Sequence, residues 1–320
     1  MPRKRKRRSR APARSSRRRR RRVRRLLPSL TRIPVRPALL GCLVVAVAAL
    51  SVWGALRVKA VVEEDDRFLL ENWRLELGEF PRWVTPEIEE KILAVDLTVG
   101  GRSISLFEKG ALARVREAFA ASPWVSTVPD VRLSYPTTEE SGVIEAKLRL
   151  RAPVAIVKIP VGTRDFYYVT DASGMQLAEA YDESPRDWFR IPVITGVREA
   201  VEIPGLGGYW KSRDVLEAIE VAKILFRGGI HREFPAHPVE AIDVSNVAGR
   251  LRHSESEIVL YCAGRSLEWG RSPISRSSRT LPVPEILNNL RDVLRRIDEP
   301  RYRSVKLFKL YYPQVLYQKG

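Results

Sequence analysis

Nineteen uncharged, mostly apolar residues run unbroken from Ala38 to Leu56 (ALLGCLVVAVAALSVWGAL). At a rise of about 1.5 Å per residue they can cross most of a hydrocarbon core about 30 Å thick. Trp53 stands near the far end of the run, where an amphipathic ring suits a membrane interface. The pattern predicts a transmembrane helix over 38–58. A cleaved signal fits poorly: its apolar region usually runs about 7–15 residues, close to the N-terminus, whereas 37 residues precede this one. A short charged stretch, 59–70, reads as a linker.

Beyond the linker the apolar positions switch between periods of about two and about four. Trp73, Leu75 and Leu77 alternate as an opening strand. Thr85-Pro86-Glu87 then offers a helix start, with Ile88, Ile92 and Leu93 as its buried stripe. Ser105-Leu106-Phe107-Glu108 fits a capping box, followed by Leu112, Val115 and Phe119 at helical spacing and by Pro123 as a stop. Val131, Leu133 and Tyr135 predict a strand; Thr137–Gly142 is a turn, and Ile144, Ala146, Leu148 and Leu150 form the antiparallel partner. The result is a β-α-α-β-β unit over 71–157.

A second domain, 158–320, is predicted from the same signals. Asp171-Ala172-Ser173-Gly174 is turn chemistry between strands at Phe166–Thr170 and Met175–Ala180. A helix near Arg213–Phe226 carries Val215, Ile219, Ala222 and Phe226 on one face. Strands follow at Ala241–Val244, Ile258–Cys262 and Ser266–Trp269. Pro284 opens a helix striped with Leu287, Leu290, Leu294 and Ile297, and Ser304–Gln318 reads as two terminal strands. The fold class expected is α+β in both domains, with antiparallel sheets. Gly205–Tyr209 and Arg271–Arg279 read as added loops.

Charge changes the picture at one end only. Residues 1–36 hold 18 of the 56 Lys+Arg and none of the 38 Asp+Glu, so the formal excess of +18 sits entirely in this tail. The tail (1–37 in the domain division) is predicted to be disordered, because like charges repel and little apolar surface is available to bury. Positive charge beside the span places the tail in the cytoplasm and residues 59–320 outside. Anionic lipid is the favoured tail partner. Nucleic acid is the lesser alternative, sequence-blind and without aromatic side chains for stacking.

The candidate chemistry is sparse. Cys42 and Cys262 lie in different compartments by this topology, which excludes their pairing and a cysteine-based zinc site. His231 and His237 stand six apart in a Pro-containing loop, not at a metal-ligand spacing, and with His253 they read as exposed loop residues. Gly205-Leu206-Gly207-Gly208 lacks the spacing to Lys211-Ser212 that a phosphate loop needs. No nucleophile motif stands in a strand-turn-helix context. A non-enzymatic protein with no cofactor, metal or small-molecule substrate is expected.

The order of these pieces resembles the bacterial cell-division family FtsQ/DivIB, whose small unit is a POTRA domain. Ser122-Pro123-Trp124-Val125 with Val131-Arg132-Leu133-Ser134-Tyr135-Pro136, and Arg151-Ala152-Pro153-Val154-Ala155, are similar to family segments. So are Tyr168–Gly174, Ile191–Gly196 and Lys309-Leu310-Tyr311-Tyr312-Pro313. Lys309 and Tyr311 depart from the Asp and Arg usual in the last of these. The resemblance implies a bitopic inner-membrane scaffold that recruits partners for septal cell-wall synthesis. It also implies that the last strands accept small bitopic division proteins of the FtsB/FtsL kind, through Leu310, Tyr311, Tyr312, Val315, Leu316 and Tyr317. If Tyr311 and Tyr312 are neighbours on one strand, they face opposite sides, whereas Val315 and Tyr317 share a face. The rival readings are an envelope protein with a chaperone or secretion role and a membrane-anchored hydrolase.

Overall fold

A computed structural model describes residues 35–63, 65–99, 102–135, 142–198, 201–274 and 281–319. The basic tail up to residue 34 and positions 137–141 of the expected turn lie outside them. The chain divides into two units, Met1–Ala60 and Val61–Gly320. Helix α1 (Val35–Glu63) includes a segment, Leu39–Glu63, long and apolar enough to cross a membrane. Leu43, Val47, Leu50 and Val52 on this helix are each more than half exposed.

The second unit opens with β1 (Arg74–Leu77), α2 (Pro86–Leu93), short β2 (Thr98–Val99) and β3 (Arg102–Ser103), α3 (Ala111–Ala121), β4 (Val125–Ser134) and β5 (Val143–Leu150). Strand β5 is central: antiparallel to β4, with Leu133 opposite Ile144, and parallel to β1, with Leu75 opposite Ile144. Val115 and Phe119 of α3 pack with Trp73, Val131, Ile144 and Ala146.

Three local readings need correction. The turn Ser105–Glu108 is not the start of α3. Gly110 stands immediately before the helix at φ +86°, a conformation that costs an L-residue about 1–2 kcal/mol. Glu108 instead pairs with Arg114 at 2.6 Å. Leu112 and Leu93, expected in the buried stripes, are about 40% exposed (39% and 41%). Tyr135 lies beyond the end of β4 and is exposed.

The chain then builds a second, larger sheet: β6 (Pro153–Val161), β7 (Arg164–Asp171), α4 (Arg186–Phe189), β8 (Val193–Thr195), α5 (Arg213–Arg227), α6 (Ile230–Glu233), β9 (Ala241–Asp243), β10 (Ile258–Cys262), β11 (Arg265–Gly270), α7 (Val283–Arg296), β12 (Val305–Lys309) and β13 (Leu316–Lys319). It begins at Pro153, ahead of the expected start at 158. The strand order is β13-β12-β11-β10-β9-β8-β6-β7. The sheet is mixed, not antiparallel as expected: β6/β8, β8/β9 and β11/β12 are parallel pairs. Parallel neighbours need a crossover, and α5 with α6 supplies one between β8 and β9, α7 another between β11 and β12.

Alternation along the strands divides two cores. Val157 and Ile194 face a cluster with Val215, Ile219 and Ala222 of α5 and with Leu290 and Leu294 of α7. Their neighbours Ile156 and Val193 face Ile88, Ile92 and Trp124, so the first sheet's elements pack directly on the second sheet. The Trp124 and Phe189 rings stack across this junction at 6.2 Å. At the start of α5 the buried carboxylate of Asp214 accepts from Arg250 Nη1 at 2.9 Å, with Arg198 Nε at 3.2 Å. Arg250 also donates to the carbonyls of Ser245 and Gly196, both at 2.7 Å, tying α5 to the loops after β8 and β9.

The Gly205–Tyr209 loop is an integral part of the fold. Gln176 N donates to Gly208 O, and Gly207 N to Gln176 O, each at 2.9 Å. The Asp171 turn forms as its sequence predicts: Oδ1 accepts from the backbone N of Ser173 and Met175 at 2.8 and 2.9 Å, with Gly174 at φ +84°. Phe226, expected on the buried face of α5, is exposed.

Candidate interaction edge

The two ends of the large sheet are finished differently. At one end β7 pairs with β6, and the segment 175–181 lies along its outer side. Leu177 N donates to Val169 O at 2.9 Å, and Tyr167 and Tyr181 exchange a pair of 2.9 Å bonds. At the other end β13 pairs only with β12, and no described strand lies beyond it. All four β13 residues are exposed.

The sequence of this end explains its form. In β12, Val305 and Phe308 are buried and Lys306 points to solvent. The chain then turns between Leu310 and Val315, and α7 holds the turn in place. Asn289 Nδ2 donates to the Leu310 carbonyl at 2.7 Å and to the Tyr312 carbonyl at 2.9 Å. Leu310 N donates to Glu268 O at 2.9 Å, and its side chain is fully buried. Gly270 makes room: it sits at φ +100°, and a Cβ there would lie 2.8 Å from Tyr311 Cβ. Strand β13 returns antiparallel, with Tyr317 opposite Phe308 and Leu316 opposite Lys309.

The six residues singled out in the sequence therefore fall into three environments. Leu310 is core, and Val315 packs partly against that core. Tyr311 and Tyr312 are not on a strand, as expected, but in the connecting turn, with their rings 4.6 Å apart. Burial, reinforced by the Glu268 charge, raises the Tyr311 phenol and keeps it neutral. Leu316 and Tyr317 alone are both on β13 and about half exposed, at 49% and 53%. Tyr317 leans edge-on against Tyr302 at 5.6 Å, and Arg301 lies 4.8 Å over the Tyr302 ring. Asn289 and Gly270, which shape the turn, were not legible as functional positions; the only sequence signal was a glycine ending an apolar strand.

The remaining chemistry-bearing residues are engaged elsewhere. Cys262 is fully buried, its Sγ 3.4 Å from the His237 carbonyl, and burial with the nearby Glu240 charge pushes its thiol up to about 12. His237 Nε2 lies 2.8 Å from Asp298 Oδ2. Burial lowers His231, whose ring nitrogens are both enclosed. Of the three histidines only His253 is exposed, which corrects the expectation for the other two. No family model matches the chain, and no curated protein matches it.

Proposed function

We propose that this chain is a non-enzymatic, bitopic scaffold of the bacterial division machinery, similar to FtsQ/DivIB, that recruits partners for septal cell-wall synthesis. In this reading α1 anchors it in the inner membrane, the basic N-terminal tail is cytoplasmic on anionic lipid, and residues 59–320 are extracytoplasmic. The β1-α2-α3-β4-β5 portion is its POTRA-like unit. Partners of the small FtsB/FtsL-like bitopic class add a strand to β13.

The observation that carries the reading is the asymmetry of the large sheet. One edge is lined by the chain's own 175–181 segment, and beyond the other no described strand lies, with Leu316 and Tyr317 half exposed. An open edge with apolar side chains invites pairing, and strand addition uses it: backbone bonds give affinity and alternate side chains give specificity. The full burial of Cys262, which pushes its thiol up to about 12, counts against that side chain as a thiolate nucleophile.

A fluorescent protein fused to the N-terminus and expressed at native level in the source bacterium tests the function. A band at mid-cell before constriction is the expected result. A uniform envelope signal through the cycle contradicts it and favours a chaperone or secretion role.

A further inference from the structure

Phe68 and Phe107 form a ring pair 5.0 Å apart at the very start of the second unit. The two segments carrying them are tied by backbone bonds, Leu70 N to Ile104 O and Leu106 N to Phe68 O, both 2.9 Å. Trp73 Nε1 donates to Arg67 O at 2.9 Å and fixes the same stretch from below. The pair is thus rigidly built, yet Phe107 remains 47% exposed and Lys109 beside it is exposed too. A single exposed apolar ring is ordinary on a protein surface; what distinguishes this pair is its place, with Phe68 a few residues along the chain from the end of α1.

Chain length says what lies within its reach. The 25 residues Leu39–Glu63 form a helix about 37 Å long, against a hydrocarbon core of about 30 Å, so a spanning α1 brings Glu63 into the headgroup layer. From Glu63 to Phe68 the chain advances only five residues, at most about 18 Å. It spans less than that, because Asp65 N bonds back to Val62 O at 3.4 Å and Phe68 N to Asp65 O at 2.9 Å.

We infer that Phe68 and Phe107 form an interfacial lipid contact that seats the folded unit on the outer face of the bilayer. This rests on α1 spanning the membrane. The ring pair, not charge, makes the contact: along residues 63–73 and 104–114 Glu63, Glu64, Asp65, Asp66, Glu71 and Glu108 outnumber Arg67, Lys109 and Arg114. Phenylalanine side chains bury into the headgroup–acyl boundary through their apolar area, which a neutral bilayer offers without penalty to an acidic surface.

The test uses the full chain in phosphatidylcholine nanodiscs, with Cys42→Ala and Cys262→Ala, and a nitroxide on a single introduced cysteine. Labels at Leu50→Cys, Lys109→Cys and His253→Cys are compared for collision with oxygen and with an aqueous nickel chelate. The Lys109 label is expected to be several-fold better shielded from nickel, and more open to oxygen, than the His253 label. Phe107→Ser should abolish that difference without changing the circular dichroism. A Lys109 label as open to nickel as the His253 label, or one indifferent to Phe107→Ser, overturns the inference while a lipid-embedded Leu50 label leaves the spanning helix intact. An aqueous Leu50 label overturns both.

Discussion

Deleting residues 313–320 is expected to lower the affinity for the bitopic partner by at least about 100-fold while leaving both sheets folded. The deletion removes β13 and little of the core: its four residues are all exposed, and of the deleted segment Val315 packs partly against the core and Tyr317 rests on the Tyr302 and Phe308 rings. The core residues beneath, Val305, Phe308 and Leu310, stay in the chain and keep α7 above them. What is lost is the edge. Two or three interstrand bonds, each worth about 1 kcal/mol net, together with an aromatic anchor amount to about 3 kcal/mol, or about two decades in Kd. The deletion also makes β12 a new edge, which a partner strand could use. The double variant Leu316→Asp/Tyr317→Asp closes that route by keeping β13 while removing its apolar contacts. Isothermal titration of the detergent-solubilised chain against a partner peptide reads both, and wild-type affinity in the two variants excludes this edge as the site.

The largest stability effect is expected at Arg250. Its guanidinium is the closest partner of a carboxylate that is only 2% exposed, Asp214, and it also satisfies two loop carbonyls. Arg250→Ala leaves the buried carboxylate to Arg198, which is itself mostly exposed, and strands the carbonyls. Breaking a buried pair from one side costs about 3–5 kcal/mol. Asp214→Ala in the same background removes the uncompensated charge, so the double variant should be more stable than Arg250→Ala alone. Thermal melts of the four members of this cycle measure the coupling. If the double variant loses the sum of the two single losses, the network does not act as a unit.

How much of this was legible in the sequence depends on whether an element buries one face or two. Helices α5 and α7 sit on the sheet by a single stripe, so their residues Val215, Ile219, Leu290 and Leu294 recur at helical spacing and predict them. Strands β6 and β8 are covered on both faces, and their runs Pro153–Val157 and Val193–Ile194 show no alternation to find. The parallel pairings follow from crossovers, which depend on tertiary packing and leave no local mark. At the candidate edge the sequence gives the two strands but misplaces the tyrosines. The turn there is set by contacts distant along the chain, Asn289 on α7 and Gly270 ahead of it, which bend the chain at Leu310. His231 read as a loop residue because its neighbours are polar and Pro-rich; its enclosure comes from the surrounding fold.

The claim that a partner strand adds to β13 is tested most directly by placing a photo-crosslinking benzoylphenylalanine at Leu316 or Tyr317 in living cells. Leu316 and Tyr317 are half exposed on an edge with no described neighbour, so both positions should give an adduct with one small membrane protein. The same residue at Tyr167 or Val169, on the sealed β7 edge, should give none. Adducts from β7 but not from β13 would contradict the account.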